Sequence, residues 1–177
     1  MMELKPTDAF GYLQKRVPAP GGTREARLYL SGAYVGQTRL VLDGQLIDTG
    51  DIEALTFSPD DRRFAYVKQT HQGKALIEQG RLVAIAEGFR GPWFSPEGEH
   101  LAYVAVVADG RNQQEFAFID GQEVERYLWV PWGMDYWSWS PPWSAQASPI
   151  PDDFRQTRET MSRENRFRPP RAPQAPG

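Results

Sequence analysis

Short apolar stretches alternate with turn-forming residues through the middle of the chain. The pattern predicts strands at 53–58, 63–69, 74–78 and 81–86, where apolar residues alternate with polar ones or form short β-branched and aromatic runs. The separators are Ser-Pro-Asp-Asp, in which Pro fixes φ and Asp accepts hydrogen bonds, and Gln-Gly, which tolerates positive φ. The sequence therefore predicts an all-β fold of short antiparallel strands.

One motif occurs twice with a spacing of 37 residues. Phe-Ser-Pro begins at 57 and again at 94, and Ala-Tyr-Val follows at 65 and 102. An apolar strand ending in a turn dipeptide then completes each unit. The residues that we assign to this structural repeat, with the glycines of two such dipeptides, are Phe57, Ser58, Pro59, Tyr66, Phe94, Ser95, Pro96, Tyr103, Gly44 and Gly121.

The units differ in how many strands they contain. The first shows three strands, near 26–31, 37–42 and 45–48, and no Phe-Ser-Pro strand, whereas the next two show four each. A single further strand, 136–140, carries a weaker Trp-Ser-Pro copy. Four-strand units at a period of about 40 residues are typical of propeller blades. The count predicts three blades' worth of a partial propeller-like meander, with the first strand displaced to the C-terminal end.

The repeat resembles a known family. Phe-Ser-Pro-acid, followed by Ala-Tyr-Val and a strand into Asp-Gly, resembles the TolB-type, WD-repeat-like β-propeller repeats of bacteria, over about residues 24–143. The resemblance implies a scaffold or protein-binding platform rather than an activity. Three units are too few for a normal ring of about 4–8 blades. The sheet is then open, completed by a second copy, or covered by a partner that protects its edges.

The two ends lie outside the repeat. Residues 1–23 form a predicted N-terminal arm with a short helix at 8–16, stopped by the Pro/Gly run at 18–22. The 24–143 β domain is followed by 144–177, which we predict to be a linker, a short helix and an extended Pro/Arg tail.

Composition excludes several classes of function. The chain has no cysteine and two histidines, which removes disulfide frameworks, thiol catalysis and Cys-based zinc sites. The net charge of −3 leaves no basic footprint for nucleic acid. No apolar run reaches the ~18–20 residues of a membrane span, and the start lacks the regions of a secretory signal. We therefore expect a cytoplasmic protein, with peripheral attachment to a membrane left open.

No residue pattern predicts catalysis, a metal site or a cofactor. Asp60, Asp61, Glu97 and Glu99 follow Ser-Pro, where acids serve turn geometry and solubility. Each Ser-Pro serine also stands in a turn, outside any Gly-x-Ser-x-Gly motif. His71 and His100 lie in different units without a third ligand. We therefore interpret all of these residues as structural and expect no enzyme activity.

The tryptophans are the exception to these structural interpretations. Five of the six lie between 129 and 143, and prolines and a glycine break the chain direction between them. They form part of a core, an interface for a protein partner, or a contact with a membrane surface or ligand. The predicted partner-binding residues of this segment and of the C-terminal tail are Trp129, Trp132, Tyr136, Trp137, Trp143, Phe154, Arg168 and Arg171.

Two hypotheses of function follow. The first is a non-catalytic scaffold or accessory subunit that docks onto a larger complex, for example a respiratory or photosynthetic one at a membrane surface. It would use the aromatic segment 127–143 and the extended termini. The alternative is a homodimer in which two chains exchange their 136–140 strands, complete a propeller and bind a small ligand or peptide.

Overall fold

The computed structural model describes residues 10–30, 37–109, 112–128 and 140–143. In these residues, twelve strands form three four-stranded antiparallel sheets, each with its strands in chain order. The first sheet contains β1 (Tyr12–Pro18), β2 (Glu25–Leu30), β3 (Thr38–Leu42) and β4 (Gln45–Gly50). The second contains β5 (Ile52–Phe57), β6 (Phe64–Thr70), β7 (Gly73–Glu78) and β8 (Arg81–Ala86). The third contains β9 (Gly88–Phe94), β10 (Leu101–Asp109), β11 (Asn112–Ile119) and β12 (Gln122–Leu128). The all-β prediction is confirmed.

Tight turns join the last two strands of each sheet, as the dipeptides predict. Asp43 and Gly44 have φ of 50° and 84°, and Asp120 and Gly121 have φ of 50° and 76°. Positive φ at both central residues gives the turn the twist that antiparallel neighbours need. The Gly44 and Gly121 positions of the repeat therefore set the register of these hairpins.

The helix predicted at 8–16 is wrong within the described residues. Tyr12–Pro18 is strand β1, which pairs antiparallel with β2 from Tyr12↔Leu30 to Pro18↔Glu25. A short isolated helix is marginal in water, whereas pairing with a strand satisfies the same backbone groups. The first unit consequently has four strands rather than three, and β1 holds the place that the displaced strand was expected to fill.

A further copy of the Ser-Pro turn, at 19–22, explains why the first unit has four strands. The backbone N–H of Ser58 donates to Arg63 O, that of Ser95 to His100 O and that of Ala19 to Arg24 O, each at 2.9 Å. Ala-Pro-Gly-Gly at 19–22 is thus the first unit's version of Ser-Pro-Asp-Asp. The Pro/Gly run that we interpreted as a helix stop is the turn between the first two strands of a blade-like unit.

The sheets pack face to face in series. Apolar residues of the first sheet meet one face of the second in a buried cluster that includes Leu28, Leu40, Phe64 and Tyr66. The opposite face of the second sheet meets the third in another cluster, with Val67, Leu76, Tyr103, Phe116 and Phe118. Adjacent residues such as Tyr66 and Val67 point to opposite faces because side chains alternate along a strand. This serial packing is propeller-like.

Parts of the sequence predictions fall outside the described residues. They are the lone strand at 136–140 except for its last residue, the linker, the C-terminal helix and the Pro/Arg tail. Within the described ranges, no helix has the length and apolar character needed to cross a bilayer.

Candidate interaction site

Of the predicted partner-binding residues, Trp143 is the one that lies among the described residues. The others lie outside the described residues: Trp129, Trp132, Tyr136, Trp137, Phe154, Arg168 and Arg171. Trp143 belongs to a short segment, 140–143, that follows the aromatic run and contacts the third sheet. This segment and its contacts define the candidate site.

The segment packs on the face of the third sheet that points away from the second sheet. Trp143 lies against a buried cluster formed by Ala102, Val104 and Ala117, together with Trp93 and Ile119. Pro141 is among the most completely buried side chains of the described chain. These contacts replace water on an apolar face, so they stabilise the sheet as well as the segment.

A histidine and an aspartate complete the site at its exposed rim. The ring of His100 stacks on that of Trp143, with centroids 6.5 Å apart and planes inclined by 28°. His100 Nδ1 lies 2.6 Å from Asp120 Oδ2, and Asp120 Oδ1 accepts a 2.9 Å hydrogen bond from Leu101 N. Both side chains of the His–Asp pair are about half exposed.

The position that His100 occupies in the third unit carries an arginine in the two earlier units. Arg24 pairs with Asp43 at 2.8 Å, and its guanidinium reaches Asp61 O of the second unit at 3.4 Å. Arg63 donates to Glu78 at 2.7 Å and to Gly98 O of the third unit at 2.9 Å. In each case a basic residue just before the second strand holds an acid of its own unit and contacts the turn of the next unit.

His100 is the third member of this series. Phe57, Phe94 and Trp139 each begin a copy of the motif, and the residues four positions further on are Asp61, Gly98 and Trp143. Trp143 therefore contacts His100 from the position at which the next unit's turn contacts Arg24 and Arg63. The segment 140–143 docks as the opening turn of a fourth unit.

Asp61 shows how strongly such a turn is held. It is buried, and its carboxylate accepts hydrogen bonds from Gly21 N at 2.7 Å, Thr23 N at 3.0 Å and Thr23 Oγ1 at 2.7 Å. Burial raises the pKa of the Asp61 carboxyl, but the hydrogen bonds from Thr23 and Gly21 outweigh it and hold the pKa below its ordinary value. The Asp61 carboxylate of the second unit is thus hydrogen-bonded to the turn of the first unit and links the two units.

The serines of the motif make turn contacts. Ser58 Oγ donates to Asp60 Oδ1 at 2.5 Å and accepts from Arg63 N at 2.9 Å, and Ser95 Oγ accepts from His100 N at 3.1 Å. In the portion of the chain that the structure covers, no group of three or more His, Asp or Glu side chains could hold a metal ion.

Sequence reasoning missed the row of basic residues that joins the units. A basic residue stands immediately before the second strand of each unit: Arg24, Arg63 and His100. This recurring position is not part of the Phe-Ser-Pro motif, so the comparison of the motifs did not detect it. The third copy also hides the pattern because histidine replaces arginine there.

Comparisons with known proteins add little to this description. No protein-family model matches the sequence, and no curated protein does. Among solved structures, Kuenenia stuttgartiensis hydrazine synthase is similar at 17% identity and a TM-score of 0.40. The similarity covers 68% of this chain and 38% of that chain. The described sheets and their junctions alone define the class, a repeat protein of serially packed four-stranded sheets.

His100 gives the site a predicted pH dependence. The hydrogen bond and charge of Asp120, with smaller contributions from Glu99 and Glu97, raise the pKa of His100 above its ordinary value. A raised pKa in the folded state stabilises the fold below the unfolded pKa of about 6.5, and this stabilisation is lost as pH rises through the folded pKa. We expect His100→Gln to lose stability relative to wild type at about pH 5.5 and to approach it at about pH 8.5.

Chemical denaturation at several pH values measures this difference. His71→Gln is the matched control, because among the described residues His71 has no hydrogen bond or ion pair. Equal pH dependence of wild type and His100→Gln would contradict the prediction.

Proposed function

We propose that this protein is a non-catalytic scaffold or accessory subunit that docks onto a larger protein assembly. Its blade-like units would be related to TolB-type propeller repeats, and its contacts would be the aromatic segment 127–143 and the extended termini. We place it in the cytoplasm, with a complex at a membrane surface as one setting.

One observation carries this proposal. The described residues comprise three complete four-stranded sheets and then the opening turn of a fourth unit, seated on the third sheet through Pro141 and Trp143. The tryptophan-rich residues 129–139 directly precede that turn. The aromatic segment thus lies beside the last described turn of the repeat. Trp and Tyr contribute much of the binding energy at protein interfaces, so this segment is suited to bind a partner that continues the series of sheets.

The indole of Trp143 supports the same interpretation. Its Nε1 is buried, and none of the described residues accepts a hydrogen bond from it. A buried donor without an acceptor costs about 1–3 kcal/mol, so the contact is not an optimised internal one.

The test is a double substitution, Trp132→Ala with Trp143→Ala. A partner is first identified by affinity purification of wild type from the native source and then purified, so that binding is measured between two defined proteins. We expect the double variant to lose at least about tenfold in affinity, because truncating interface anchors typically costs 2 kcal/mol or more. Its far-UV circular dichroism should remain that of a β protein.

Tyr12→Ala provides the matched control. Tyr12 is an aromatic residue with half of its surface exposed, and it lies on the first sheet. Equal affinities of wild type, control and double variant for the partner would contradict the proposed interface.

A second candidate is the homodimer that completes a propeller. The fourth-unit turn on the third sheet supports it, because a following sheet would dock there and two chains together would supply six blades, within the usual range of about 4–8. Exchange of 136–140 into the first unit would have to displace β1, which already pairs with β2. Sedimentation and native mass measurement separate the candidates: a strict dimer favours the ring, and a monomer excludes it.

A further inference from the structure

A cavity of about 460 Å³ opens between the first and second sheets. Its apolar wall is formed by Val17 of β1, Leu28 of β2, and Ile52 and Leu55 of β5. Leu28 and Ile52 are buried, whereas Val17 and Leu55 are partly exposed. The volume lies within the range of about 300–1,000 Å³ that small-molecule sites occupy.

Both strands that flank the cavity are interrupted by bulges where they line it. In β1 the pairing with β2 skips Gln14, between Leu13 and Lys15. In β5 the pairing with β6 skips Ala54 and Leu55, and Ala54 has a φ of 50°. Gln14, Ala54 and Leu55 all line the cavity. A bulge takes backbone polar groups out of the ladder, so these residues offer groups that a ligand can use.

The first strands of the second and third sheets lie close together, because β5 contacts β9. The bulge residue Gly91 of β9 matches Ala54 in the repeat, and the ring of Trp93, on the face of the third sheet that also carries Trp143, covers it. A Cβ on Gly91 would come within 2.6 Å of that ring. The bulge of the third sheet is therefore covered by an aromatic side chain, whereas the bulge of the second sheet lines an open cavity.

The charges at the cavity are unbalanced. Glu53 is neutralised by Lys74, whose Nζ lies 2.7 Å from Glu53 Oε2. Lys15 also lines the cavity, and its side chain forms no ion pair or hydrogen bond with the described residues. The Lys15 ammonium group thus has no counter-charge among the described residues, and it lines the same cavity as the apolar wall.

We propose that this cavity binds a carboxylate carried on a short aliphatic body. The carboxylate pairs with Lys15, the aliphatic part packs along Val17, Leu28 and Ile52, and the backbone at the β5 bulge supplies further hydrogen bonds. A fatty acid and the C-terminal residue of a peptide share this chemistry. The site does not use the aromatic segment 127–143 of the proposed docking function, whose described residues 140–143 lie on the third sheet.

Octanoate and the tripeptide Gly-Val-Leu are the probes, with octanamide and the tripeptide amide as controls that lack the carboxylate. Binding to the full chain is followed by amide chemical shifts. We expect one or both acids to bind and to shift the amides of Gln14, Ala54 and Leu55. Whichever acid binds more tightly identifies the source of the carboxylate, whereas equal binding of acid and control would overturn the proposal.

Lys15→Ala tests the charge, and Arg16→Ala is its matched control. Arg16 is exposed, carries the same charge and, as the neighbouring residue in β1, points to the other face of the strand. We expect Lys15→Ala to weaken octanoate binding about tenfold and Arg16→Ala to leave it unchanged, because a charge-assisted hydrogen bond contributes about that much. Equal effects of the two variants, or no binding to wild type at millimolar octanoate, would overturn the assignment.

Discussion

Replacing Phe116 by alanine is expected to lower the free energy of unfolding by about 3–5 kcal/mol, the usual cost of truncating a buried phenylalanine. Phe116 is fully buried in the cluster between the second and third sheets, and the Arg126 guanidinium lies 4.8 Å from its ring centre. The truncation removes apolar contact from both sheets and leaves a cavity that neither can fill. Since a domain is stable by only about 5–15 kcal/mol, this loss is a large share of the total.

Urea denaturation followed by circular dichroism measures the loss. Val124→Ala is the control, because Val124 lies on β12 with 46% of its surface exposed, and a surface truncation typically changes stability by less than about 0.5 kcal/mol. If both variants unfold at the urea concentration of wild type, the cluster does not hold the two sheets together.

Arg63→Ala is the second substitution with a large expected effect, about 2–3 kcal/mol of destabilisation. Arg63 donates to Glu78 of its own unit and to Gly98 O of the next, and its guanidinium lies 5.1 Å from the centre of the Phe94 ring. Its side chain is 23% exposed, and that of Glu78 is 21% exposed. Removal leaves a mostly buried carboxylate without its partner, and such a loss costs more than an intact pair contributes.

The neighbouring arginine makes a strict control for this prediction. Arg62 carries the same charge, but 85% of its side chain is exposed and its contact with Asp60 is 3.7 Å long. Exposed pairs are worth about 0–1 kcal/mol, so Arg62→Ala should leave the unfolding transition almost unchanged. Similar transitions for Arg62→Ala and Arg63→Ala would show that the junction contacts do not stabilise the repeat.

Strand positions in the second unit were predicted closely from the sequence. The strands expected at 53–58, 63–69, 74–78 and 81–86 correspond to β5 through β8 within one residue at each boundary. Local chemistry is sufficient to predict these strands. Side chains that alternate between buried and exposed faces produce a period of two in the sequence, and each turn type requires particular residues.

The first strand could not be predicted by the same reasoning. Five of the seven residues of β1 are exposed, so the strand carries little alternation of apolar and polar positions. It becomes a strand because β2 offers it a complete set of hydrogen-bond partners, which is a tertiary effect. The turn that follows β1, Ala-Pro-Gly-Gly, also lacks the serine and the acidic residues by which the other copies are recognised.

The candidate site was only partly visible in the sequence. The tryptophan cluster drew attention to Trp143, but its neighbours Ala102, Val104 and Ala117 are ordinary strand residues with no chemical signal of their own. The cavity beside Lys15 was invisible, since its lining comes from three strands of two sheets and its opening depends on two bulges.

The sequence by itself determined the repeat, the strands of its second unit and the turns at Asp43-Gly44 and Asp120-Gly121, because these depend on side-chain alternation and on backbone freedom within a few residues. Tertiary structure alone decided that β1 completes the first unit, that Arg24, Arg63 and His100 form one series of junctions, and that 140–143 seats on the third sheet. These features arise from groups 7 to 43 residues apart in the chain, whose contacts exist only in the folded sheets.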